Sequence, residues 1–194
     1  MKKSILIFLF ASVTLLCQAT NTTVKSPDGA LSVTVSNNDG HIGYTISLDG
    51  KTVLEESALG LVTSIGDLTQ GMTLVGSRTD KVEKHYEMKT TKAGNGHYVA
   101  NELTLTFKNE QERILEVTFR VSDDDVAFRY NISVVHPDRD PDLQRTLILS
   151  EASSFNFPEG TTTFLCPMAA PGILWAHARP SYEEVYTPDA DRKS

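Results

Sequence analysis

Leu115-Glu-Val-Thr-Phe-Arg-Val-Ser-Asp-Asp-Asp-Val-Ala-Phe-Arg-Tyr130 decides the fold. Leu115, Val117, Phe119 and Val121 alternate with polar or charged residues, and Val126, Phe128 and Tyr130 alternate with Ala127 and Arg129. In a β-strand successive side chains point to opposite faces, so each run is a strand with one apolar face. Between them, Ser122-Asp-Asp-Asp125 is a polar turn. The stretch predicts an antiparallel hairpin. Val126, Phe128 and Tyr130 are expected to bury one face of a central strand, with Arg129 on the other.

The same period of two recurs along the chain. Leu31, Val33 and Val35 alternate, as do Ile42, Tyr44, Ile46 and Leu48, and again Leu103, Leu105 and Phe107. Turn residues punctuate these runs at Pro27-Asp-Gly29, Asn38-Asp-Gly40, Asp49-Gly50, Gly94-Asn-Gly96 and Lys108-Asn-Glu110. Short strands spaced by turns predict an all-β chain, an antiparallel sandwich or barrel. Glu55 to Leu61 and Pro180 to Tyr186 each have room for one helical turn. There is no internal repeat and no low-complexity linker.

Residues 1–19 read as a signal peptide. Lys2 and Lys3 form the basic region, Ile5 to Leu16 the apolar region, and Cys17-Gln-Ala19 offers small residues for cleavage. The apolar run is shorter than the roughly 20 residues that a membrane span needs, and no later segment approaches that length. Periplasmic or secreted localisation is expected. The alternative is a lipoprotein anchored at Cys17, which Leu16 disfavours. Without Cys17 only Cys166 remains, so no internal disulfide is available and the core must hold the fold. Cys166 lies in apolar Thr163-Phe-Leu-Cys-Pro167 and reads as a small buried hydrophobe. The formal net charge of −7 has no basic cluster set against it, which excludes nucleic acid as a partner.

Seven segments, in order, resemble the N-terminal domain of glycoside hydrolase family 97. They are Ser26-Pro-Asp-Gly-Ala-Leu-Ser-Val-Thr-Val35, Tyr44-Thr-Ile-Ser-Leu-Asp-Gly-Lys-Thr-Val-Leu54, Ser57-Ala-Leu-Gly-Leu61, His97-Tyr-Val-Ala-Asn-Glu-Leu-Thr104, Val126-Ala-Phe-Arg-Tyr130, Ser150-Glu-Ala-Ser-Ser-Phe-Asn-Phe-Pro158 and Ser181-Tyr-Glu-Glu-Val-Tyr186. Val99 and Ala100 look inserted, and Asp125 stands where the family has Gly. The resemblance implies a β-supersandwich over residues 20–194, incomplete at its C-terminal end. It also implies a (β/α)8 barrel in the parent enzyme that carries the catalytic carboxylates, activity on α-glucosides or α-galactosides, and calcium as cofactor. The domain's implied work is to pack on that barrel and to offer one calcium ligand, Glu183, with Glu184 as the alternative. By itself this chain is expected to be inactive. A free-standing secreted carbohydrate-binding module and a truncated product without a role of its own are the alternatives.

Other candidates read as structural. Asp138, Asp140 and Asp142 begin like a calcium loop, but Leu143 holds the glycine position and Leu149 the position of the bidentate glutamate. Glu102 and Glu151 are expected to pair with Arg120, Arg129 or Arg145. Asp123, Asp124 or Asp125 is expected to pair with Arg129 or another basic neighbour. The five histidines show no metal-ligand spacing. Leu174, Trp175, Tyr182 and Tyr186 are read as an apolar seam for the barrel; the three aromatic residues also suit sugar stacking.

Overall fold

The computed structural model describes residues 20–89, 94–133 and 146–162. These form eleven strands and, among the described residues, no helix. In chain order they are β1 (Thr20–Lys25), β2 (Leu31–Asn38), β3 (His41–Leu48), β4 (Lys51–Leu59), β5 (Leu61–Thr63), β6 (Gly66–Asp67), β7 (Thr73–Glu87), β8 (Asn95–Lys108), β9 (Ile114–Val121), β10 (Val126–Ser133) and β11 (Ile148–Glu151). Two four-stranded sheets run in the orders β1-β2-β3-β4 and β10-β9-β8-β7, and a three-stranded sheet runs β11-β5-β6. All strand pairs are antiparallel. The expected all-β antiparallel sandwich is the fold observed.

Alternation places the core. Val33, Val35, Ile42 and Tyr44 of the first sheet are buried with Leu103, Leu105, Phe107, Leu115, Val117 and Phe119 of the second. Each fully buried side chain of this size contributes roughly 1.5–3 kcal/mol relative to exposure. Asp39-Gly40 and Asp49-Gly50 close two hairpins as two-residue turns, with φ of 50° and 80° in the first and 50° and 78° in the second. That geometry tightens the chain with the right-handed twist of paired strands, and it is why Asp-Gly marks hairpins.

Four sequence expectations change. Glu55 to Leu61 is not helical: β4 runs through it, with β-bulges against β3. Tyr44 pairs with Ser57 and Ile46 with Leu54, so β4 carries an extra residue there. The bulge puts buried Leu54 and Ser57 three apart, a helix-like spacing on a strand. Gly94-Asn-Gly96 is not a turn at its centre, because Asn95 and Gly96 already pair with Glu87 and Tyr86. Arg129 does not take up the acidic turn either: Asp123 Oδ1 accepts the Asp28 N–H at 2.9 Å, tying two hairpin ends together. Finally, β10 is an edge strand of its sheet among the described residues, and Val126, Phe128 and Tyr130 are half-buried there. Their expected alternation with exposed Ala127 and Arg129 holds.

The acidic turn needs no glycine. Ser122 is buried, and its hydroxyl accepts the N–H groups of Asp124 and Asp125 at 3.3 and 3.0 Å. Only Asp39, Asp49 and Glu112 combine a positive φ with a side chain among the described residues, so Asp125 fits without strain. The Val99-Ala100 pair sits in unbroken register with Glu83 and Val82. Two extra residues leave the facing of a strand unchanged, whereas one would invert it.

The edge of β4 is covered by the segment that follows β11. Ala152 N–H donates to Gly60 O at 2.9 Å and Ser154 N–H to Ala58 O at 3.1 Å, while Glu55 N–H donates to Asn156 O at 2.7 Å. This strap satisfies backbone groups that an open edge would leave free. At the other side, β7 and β8 continue as a two-stranded arm. β9 pairs with β8 only as far as Asn101, whereas β7 follows it on to Asn95.

Candidate functional site

The strap is pinned by aromatic side chains. Phe128 lies 5.7 Å from Tyr44, 5.6 Å from Phe119 and from Tyr130, and 6.3 Å from Phe155, centroid to centroid. Tyr44 donates its hydroxyl proton to Ser154 O at 3.1 Å. The Tyr130 hydroxyl accepts the Gly60 N–H at 3.0 Å and meets Ser153 Oγ at 2.6 Å. Burial pushes the Tyr44 hydroxyl up to about 12, with the neighbouring Tyr130 adding to the shift. Burial also raises Tyr130, against the opposing pull of its bonds to Ser153 and Gly60. These phenols are structural pins, held neutral.

Apolar side chains are exposed along β11 and the strap. Leu147, Leu149, Phe155 and Phe157 are 64, 65, 60 and 52% exposed, with Ile148 beside them. Scattered single exposed apolar residues are ordinary, but a run of them on one segment marks an interaction surface.

Among the described residues, Glu102 and Glu56 are carboxylates with structural partners. A glycosidase holds two carboxyl groups roughly 5–10 Å apart across the scissile bond. Glu102 is buried and accepts a 2.6 Å hydrogen bond from Arg120 Nε, as expected from the sequence. Glu151 is exposed on β11 and faces Leu61 in the register. Glu56, which the sequence reading passed over, lines a shallow groove with Asn38, His41 and Asn156. Its Oε1 already accepts from Ser36 Oγ at 2.9 Å and Asn38 Nδ2 at 3.3 Å. A carboxylate so held is a structural acceptor.

Two histidines with no ligand-like spacing in sequence meet in space. His85 and His97 face each other across β7 and β8, their rings stacked 4.2 Å apart at 4°. Glu83 Oε1 lies 3.0 Å from His97 Nε2 and 3.6 Å from His85 Nε2. The hydrogen bond and charge of His97 hold the Glu83 carboxyl below its ordinary range. Strand register brought this trio together, and linear spacing carries no trace of register. Glu183, Glu184, Trp175, Tyr182, Tyr186, Leu174, Cys166, the 138–142 aspartates and residues 1–19 lie outside the described residues.

The glycosyl-hydrolase 97 N-terminal profile matches residues 24–193. The chain belongs to the family 97 N-terminal domains. A curated relative, the probable retaining alpha-galactosidase of Streptomyces bingchenggensis (strain BCW-1), is 32% identical over 126 residues, covering 65% of this chain and 18% of the relative. The crystal structure of a beta-arabinopyranosidase superposes with a TM-score of 0.77 at 44% identity, over 87% of this chain and 26% of that one. A family 97 enzyme from Pseudoalteromonas sp. strain K8, solved in complex with panose, has a TM-score of 0.63 at 24% identity, over 71% of this chain and 20% of that one. It shares the fold. The family 97 domain thus spans between about a sixth and about a quarter of the length of these relatives.

Proposed function

We propose that the chain is the non-catalytic N-terminal module of a family 97 glycosidase, and that it packs on a catalytic barrel through the strap face. The observation that carries this is the set Leu147, Ile148, Leu149, Phe155 and Phe157, exposed along β11 and the strap, which are hydrogen-bonded to β5 and β4. Support comes from the small share of each relative that the module covers, and from the internally satisfied state of Glu102 and Glu56. The parent's substrate is a glycoside of the class named for those relatives, an α-galactoside or a β-arabinopyranoside. Secretion or periplasmic export through residues 1–19 completes the reading.

Calcium enters through the C-terminal segment. A carboxylate is a hard oxygen donor and suits this ion, which takes 6–8 oxygens. Glu183, or Glu184 beside it, supplies at most two, so the remaining ligands come from the barrel. Light scattering of the chain tests the packing face. Concentration-dependent self-association is expected, relieved by the joint substitution Leu149→Ser and Phe157→Ser. A monodisperse unsubstituted monomer contradicts the reading.

A further inference from the structure

The arm formed by the far ends of β7 and β8 extends the core-facing side of its sheet past the sandwich. Along β8 that side runs Leu105, Leu103, Asn101, Val99, His97, buried at the two leucines, half-buried at Asn101 and exposed at Val99 and His97. Asn101 Nδ2 donates to Lys25 O at 2.8 Å and marks the last tie to β1. Beyond it, the side chains that would have entered a core meet solvent instead. Glu83 and His85 are two apart on β7, so they share a face, and His97 is directly opposite His85. One ligand atom from each of the three lies within 4.8 Å of the others.

We propose that Glu83, His85 and His97 form a binding site for a divalent transition-metal ion of the zinc class. Imidazole nitrogens are borderline donors that suit zinc, copper, nickel and cobalt, and a carboxylate completes a His2Glu set. Hard cations such as calcium and magnesium prefer oxygen ligands, so two imidazoles disfavour them. The antiparallel register holds both histidines on one face, with one ligand atom of each of the three residues already close to the others. Three protein ligands leave a fourth position for water. A bound ion would clamp the two strands of an arm that has no third strand beyond Asn101 among the described residues.

The test is calorimetric titration of the chelator-stripped full chain with zinc alone, at neutral pH. One equivalent is expected to bind, with calcium in excess failing to compete. The variants His85→Ala and His97→Ala should each lower the zinc affinity at least ~10-fold, since losing even an outer partner of a metal ligand costs about 10–100-fold. His41→Ala, on β3, should leave it unchanged. Cobalt in place of zinc reads the ligand set by its visible absorption, which should vanish in the double variant. All these side chains are exposed, so circular dichroism should show the variants folded. Zinc binding absent from the unsubstituted chain, or unchanged in the folded double variant His85→Ala/His97→Ala, overturns the proposal.

Discussion

Glu102 and Arg120 stand directly opposite each other on β8 and β9, with Arg120 Nε donating to Glu102 Oε2 at 2.6 Å. The glutamate is buried and the arginine partly exposed. The carboxylate is therefore held against a fixed cation. Arg120→Ala leaves a buried carboxylate without its charge-assisted partner and should cost about 1.5–3 kcal/mol. Urea denaturation of Arg120→Ala, Glu102→Ala and the double variant measures the coupling directly. Additive single effects would show that the pair contributes nothing.

Phe128 touches Tyr44, Phe119, Tyr130 and Phe155, yet it is only half-buried on an edge strand. Phe128→Ala is expected to cost about 2–3 kcal/mol, below the roughly 3–5 kcal/mol of a fully enclosed phenylalanine. Because the ring also backs the strap, the loss should speed proteolysis near 150–157. An unchanged thermal midpoint would contradict this packing.

The two Asp-Gly turns separate backbone strain from crowding. A Cβ on Gly50 meets nothing within 4 Å, while one on Gly40 meets Gly71 N at 2.8 Å. Both glycines have a left-handed φ. Gly50→Ala should cost about 1–2 kcal/mol from conformation alone, and Gly40→Ala clearly more. Denaturation midpoints in urea rank them, and equal costs would contradict the close approach of Gly71 to Gly40.

Alkaline pH should unpin the strap. The folded state holds Tyr44 protonated up to about 12, whereas an unfolded tyrosine ionises near 10. Its stabilisation is complete below pH 10 and is lost as pH rises from there through about 12. Tyr130 is raised as well and acts in the same direction. Stability followed through this window should fall in the unsubstituted chain and fall less steeply in Tyr44→Phe. Identical slopes would mean that Tyr44 ionises freely in the folded state.

Fold class was legible because the inner positions of β2, β3, β8 and β9 keep strict alternation, as in Leu103, Leu105 and Phe107. The hairpins at Asp39-Gly40 and Asp49-Gly50 were legible because few residues accept their dihedral angles. The bulge at Glu55 and Glu56 was not, since an extra residue breaks the period that identifies a strand. Segments 57–61, 126–130 and 150–158, separate in sequence, proved to be one assembly joined by Gly60, Tyr130, Ser153 and Ser154. The Glu83, His85 and His97 trio was illegible, because register over an unbroken two-stranded arm depends on the whole hairpin.

We propose that this family 97 domain does not itself cleave glycosides. The test is release of the aryl group from aryl α-galactosides, α-glucosides and β-arabinopyranosides by the purified chain with calcium present. A rate no greater than the buffer blank is expected, unaltered by Glu102→Gln or Glu151→Gln. Turnover well above the blank that disappears in either variant would contradict it.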